Sequence, residues 1–109
     1  MIVEVITGAD EVPEVQVADV EDLGRLRLAL GALSDADADR ALRAAGLGRL
    51  DDGTGFLDVD ALRAAAGREA RSLDWGPRFD QMVAAAADAG WTADDGASLR
   101  AHVEPAASG

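Results

Sequence analysis

The sequence predicts an α+β domain, about four helices packed on a small, mainly antiparallel sheet with two short hairpins. Three observations carry this reading. A β-branched run opens the chain at Ile2–Ile6. Four later stretches repeat apolar residues at three- and four-residue spacing behind residues suited to helix starts. Two Asp-Asp-Gly turns each lie between short apolar segments.

Taken in order, Ile2 to Ile6 are β-branched except for Glu4 and read as the first strand. Gly8 to Pro13 form an acidic turn, and Val15 and Val17 alternate with polar neighbours as a second short strand does. Asp19 is placed to cap a helix carrying Val20, Leu23, Leu26, Leu30 and Leu33, in which Gly24 costs about 1 kcal/mol relative to alanine. Ser34 caps the next helix, with Asp35 and Asp37 in the first turn, where the helix dipole favours negative charge. Gly46 ends that helix by taking the left-handed conformation. Leu50 and Phe56–Leu57 flank the turn from Asp51 to Gly55 and make a small hairpin. Asp58 caps a third helix with Val59, Leu62 and Ala66 inward.

Pro77 sits near the start of the fourth helix, where its missing N–H is harmless. The stripe of that helix is Trp75, Phe79, Met82, Val83 and Ala86, and Gly90 ends it. Trp91 then opens a second hairpin that turns at Asp94-Asp95-Gly96. Its returning strand, Ala97 to Glu104, puts Ala97, Leu99, Ala101 and Val103 on one face and Ser98, Arg100, His102 and Glu104 on the other. Residues 1–105 are thus expected to form one domain, followed by a flexible tail at 106–109. Ala45-Gly46-Leu47 before Asp51-Asp52-Gly53 is echoed by Ala89-Gly90-Trp91 before Asp94-Asp95-Gly96. The echo suits a degenerate duplication or a recurrent helix–glycine–hairpin grammar.

A chain of 109 residues builds one modest core. Although 49% of it is apolar, only 4% is aromatic and more than a fifth is alanine. Alanine buries little area at roughly 25 cal/mol per Å², so a homodimer is expected to supplement the core. The formal charge of −11 repels nucleic acid and anionic membranes alike. No basic segment precedes an apolar stretch at the start, and no apolar run approaches the roughly 20 residues of a membrane span. A cytoplasmic location is expected. All ten basic residues are arginine, and with the alanine content this points to a GC-rich, actinobacterial genome.

The chain has no cysteine, which excludes disulfides, thiolate metal sites and sulfur nucleophiles. The absence of lysine removes Schiff-base chemistry and a pyridoxal-phosphate anchor, and the absence of tyrosine removes the phenol. Any activity must therefore come from shape, carboxylates, guanidinium groups and one imidazole, and no cofactor or metal is expected. The four aspartates between Asp51 and Asp60 invite comparison with an EF-hand, but the register fails. With Gly55 at the sixth position, Leu50 and Ala61 take the first and twelfth. With Gly53 there, Gly48 and Val59 do.

His102 is the only side chain of a type that titrates near neutrality. It shares a strand face with Arg100 and Glu104, so groups that move protons or hold an anion lie on one surface. These three residues are the candidate catalytic set, although the same pattern suits an exposed polar strand face. Trp75, Arg78, Phe79 and Trp91 are the candidate ligand-binding set, although aromatic residues at this spacing also suit a core. Neither a nucleophile elbow nor a glycine-rich phosphate loop is present.

The run Trp75…Arg78-Phe79…Met82…Ala86…Gly90-Trp91, closing with Leu99-Arg100-Ala101-His102-Val103-Glu104, resembles the C-terminal part of small uncharacterised actinobacterial proteins. Some of those accompany natural-product gene clusters. In size and freedom from cofactors the chain is similar to the small lysinoalanine-forming proteins of lanthipeptide clusters. The likeness covers roughly the last third of the sequence. Two functions are therefore expected. One is an acidic binding or accessory protein, dimeric, holding a peptide or small-molecule ligand. The alternative is a cofactor-free tailoring enzyme of natural-product or peptide biosynthesis, for example a lysinoalanine-type cross-linker, using His102, Glu104 and Arg100. The enzyme requires those residues to face a cleft lined by aromatic surface.

Overall fold

The computed structural model describes residues 1–7, 12–24 and 26–105. Most of the acidic turn expected from Gly8 lies outside these residues, as does the tail at 106–109.

Alternate burial of Val3 and Val5 sets strand β1 (Ile2–Thr7). It pairs antiparallel with β2 (Pro13–Ala18), with Val3 opposite Val17 and Val5 opposite Val15. Then follow β3 (Arg27–Leu30), α1 (Asp35–Ala44), β4 (Gly48–Asp51), β5 (Thr54–Asp58), α2 (Val59–Gly67), α3 (Trp75–Asp88), β6 (Thr92–Ala93) and β7 (Ser98–Pro105). A single turn of 3-10 helix at Asp94–Gly96 joins the last two strands. Six strands run in the order β2-β1-β3-β7-β5-β4, and β6 adds to β7 on the side opposite β5.

The sheet is mixed and, at seven strands, larger than the small one expected. β3 pairs parallel with β1 and with β7, while the other pairings are antiparallel. Among the described residues there are three α-helices rather than four. The described residues of the segment expected as a helix behind Asp19 form turns and then β3. Asp19 has φ 51°, which does not start a helix. The leucine spacing that suggested a helix also contains a strict alternation, Leu26-Arg27-Leu28-Ala29-Leu30, bounded by Gly24 and Gly31. A central strand flanked by parallel neighbours is apolar on nearly every residue, so the two periods are easily confused. Leu28 and Ala29 are both buried.

The remaining local expectations follow the chain closely. Ser34 Oγ accepts from the Asp37 N–H at 3.1 Å, and Asp58 Oδ2 accepts from the Ala61 N–H at 2.8 Å. Asp52 and Gly53, at φ 49° and 77°, form the two-residue turn of the β4–β5 hairpin. One core cluster joins Val3, Val5, Leu28, Leu50, Leu57, Leu99 and Ala101 of the sheet to Ala38 and Leu42 of α1, Leu62 and Ala66 of α2, and Trp75 and Phe79 of α3.

Gly48 marks the tightest point of the β4–β5 pair. A Cβ there would meet the Phe56 carbonyl oxygen at 2.0 Å, at a φ of 156°. Gly48→Ala is therefore expected to cost at least about 1–3 kcal/mol, and Leu42→Ala, at a fully buried side chain, about 2–5 kcal/mol. Urea unfolding of each variant measures both losses.

Candidate functional site

Strands β3 and β6 lie end to end along the same side of β7. β6 pairs with Ser98 and Leu99, and β3 with residues from His102 onward. Between them, on the side of β7 away from β5, no strand among the described residues lies beside Arg100 and Ala101; the Arg100 N–H bonds instead to the Trp91 carbonyl at 2.8 Å. This gap opens a cleft of about 400 Å³, within the size range of small-molecule sites. Leu23, Leu26, Met82, Ala86 and Leu99 give it apolar surface, and Arg27, Trp91, Arg100 and His102 the rest, beside Gly24. A second hollow of about 280 Å³ shares Trp91, Arg100 and His102 and extends to Gly53 and Thr54.

Trp91 owes its position to the way α3 ends. Gly90 takes φ 79°, the Gly90 N–H bonds to the Ala87 carbonyl at 3.1 Å, and the Trp91 N–H bonds to the Ala86 carbonyl at 2.8 Å. α1 ends identically: Gly46 has φ 71°, and the Leu47 N–H bonds to the Leu42 carbonyl at 3.1 Å. The residue after such a glycine usually packs back on its helix. Leu47 is buried, yet Trp91 remains 53% exposed. The sequence echo is thus an echo of geometry, with one member buried and the other left at a cleft.

Alternation along β7 sends Leu99 and Ala101 into the core and leaves Arg100 and His102 exposed. In register, Arg49 lies opposite Phe56, and Phe56 opposite Arg100. The Arg49 guanidinium stands 4.4 Å from the Phe56 ring centroid and that of Arg100 stands 5.6 Å from the Trp91 ring. Each is in cation–π range, worth about 0.5–1 kcal/mol at an exposed position. Asp94 ties the β6–β7 turn to this row. It accepts from Arg49 Nη1 and from Ser98 Oγ, both at 2.9 Å, and these bonds hold its carboxyl below the usual range.

The candidate catalytic residues are divided. Arg100 and His102 line the cleft, while Glu104 pairs with Arg27 Nη1 at 3.2 Å and does not line it. Of the candidate ligand-binding residues, Trp91 alone lines the cleft. Trp75 and Phe79 are buried and stacked at 5.1 Å between centroids. Trp75 also donates from Nε1 to the Val20 carbonyl at 2.6 Å. Arg78 donates to the Glu21 carbonyl at 3.1 Å and stands 3.6 Å from its carboxylate.

These last contacts hold the loop from which Leu23 and Gly24 reach the cleft. The Glu21 carboxylate accepts from the Ser72 hydroxyl and from the Arg71 N–H at 2.9 Å, which clamps that loop to the α2–α3 connection. Leu23, Leu26 and Arg27 entered no candidate set from sequence, because their segment was read as a helix. The leucine alternation across residues 26–30 was the signal for β3. Among the described residues no group of three or more His, Cys, Asp or Glu side chains could hold a metal ion, and no helix is long and apolar enough to cross a membrane.

The Ser72 hydroxyl, followed by the Arg71 N–H, pulls the Glu21 carboxyl below its ordinary value. A carboxyl depressed by folding contributes stability above its unfolded pKa, and that contribution is lost as pH falls through the folded value. Glu21→Gln is therefore expected to melt below the parent at pH 7, with the gap closing below about pH 4. Melting temperatures of both proteins across that range measure it.

No family model, curated protein or solved structure matches the chain, so the chemistry of the cleft rests on its own geometry.

Proposed function

We propose that the protein is a binding or accessory module, working as a homodimer, that holds a small-molecule or peptide ligand in the cleft between β3 and β6. The observation that carries this is the exposed Trp91 on the wall of a concavity floored by Leu23, Leu26, Met82 and Ala86. A half-exposed tryptophan beside an apolar hollow is the usual anchor of a recognition site. The homodimer rests on the alanine-rich composition, which limits burial within one chain, and on Leu73, fully exposed between α2 and α3.

A second reading keeps the lysinoalanine-type or related cofactor-free chemistry. What favours it is that His102 and Arg100 line a cleft walled by an aromatic ring. What weighs against it is Glu104, held by Arg27 rather than left free to exchange a proton with His102. The binding module is the better supported of the two.

A small-molecule and peptide screen by two-dimensional NMR on the full chain is expected to move the Trp91 indole and the Arg100 and His102 amides together. Trp91→Ala should weaken such ligands by at least about tenfold. Hits confined to other surfaces, or none, overturn the reading. Size-exclusion chromatography with light scattering is expected to give a dimer mass, and a monomer at micromolar concentration overturns that part.

A further inference from the structure

The charge pattern of the cleft is at odds with that of the chain. The sequence holds 21 acidic residues against ten arginines, yet none of the described residues lining either the cleft or its smaller neighbour is acidic. Three other surface hollows each include a carboxylate: Asp58 with Asp94 in one, Asp37 in the second and Glu69 in the third. The cleft instead collects Arg27, Arg100 and His102. Arg100 is exposed, stacks on Trp91, and has no carboxylate partner among the described residues. Arg27 spends Nη1 on Glu104, and among the described residues no acceptor meets its buried Nε–H. Arg27 nonetheless lines the cleft, and its guanidinium has further N–H donors beyond the one that Glu104 takes.

From these features we infer that the ligand is a small monocarboxylate with a hydrophobic body. The inference rests on the binding-module reading and specifies its chemistry. The carboxylate lies among Arg100, Arg27 and His102, where guanidinium groups offer paired N–H donors. The hydrocarbon lies against Trp91, Met82, Ala86, Leu23 and Leu26. In a chain of net charge −11, the surrounding field disfavours anions at long range, but salt screens that field within about 10 Å. Local pairing in a partly desolvated cleft therefore decides the selectivity.

The test uses three probes of one length: octanoate, octan-1-ol and octylammonium, titrated into the full chain and followed by NMR at Trp91, Arg100 and His102. Octanoate is expected to bind at least about tenfold more tightly than octanol, and octylammonium not to bind. Arg100→Gln should remove the preference, so that octanoate binds no more tightly than octanol to the same variant. His102→Gln is the second variant and should reduce the same preference. If octanol or octylammonium binds as well as octanoate, the cleft is a binding site but the carboxylate assignment is wrong. If none of the three moves these residues while the broader screen does find ligands there, the assignment again falls and the module stands. Silence in both experiments removes both.

Discussion

The sheet is continuous because four residues, Arg27–Leu30, slot between β1 and β7 and pair parallel with each. Without that strand the N-terminal hairpin and the C-terminal strands would be separate pieces. A two-stranded hairpin is marginal by itself, so β1 and β2 depend on β3 to join a sheet that holds their apolar face. Parallel pairing also demands that the chain return over the sheet between partners, and the long course from β3 to β7 through all three helices provides this. Leu28 therefore contacts a core built from both ends of the sequence.

The same strand accounts for the cleft. β3 reaches β7 only from His102 onward, and β6 is two residues long and stops at Ser98 and Leu99. A single bond from the Arg100 N–H to Trp91 bridges the interval. On the side of β7 away from β5, backbone without a neighbouring strand leaves room for side chains, so a shortfall in pairing becomes a concavity with Arg100 and His102 at its rim.

The acidic composition does structural work close to the backbone. Asp39 accepts from the Leu50 N–H at 2.9 Å and from Arg43, and the first of these contributes most to holding its carboxyl below the usual range. Asp58 caps α2, Asp94 pins the last turn, and Glu21 clamps the loop beside the cleft. The donors that face Asp39, Asp94 and Glu21 favour the charged form of those three carboxylates. The excess of negative charge thus stabilises turns while being absent from the described lining of the cleft.

Local rules read correctly wherever the deciding partners were close in sequence. The caps at Ser34 and Asp58, the glycine stops at Gly46 and Gly90, the Asp52-Gly53 turn and the alternation along β7 all depend on neighbours within a few residues. Composition likewise sufficed to remove thiol, lysine and phenol chemistry. What depended on distant partners was different. The leucines at 23–30 satisfied two periods at once, and only the slot between β1 and β7 selected the strand. Trp75 and Phe79 read as ligand surface until α3 folded them onto the core, and Glu104 read as a partner of His102 until Arg27 arrived from another strand. Trp91 and Leu47 follow identical helix endings, yet one is exposed and the other buried, because burial is set by what the rest of the chain places against each.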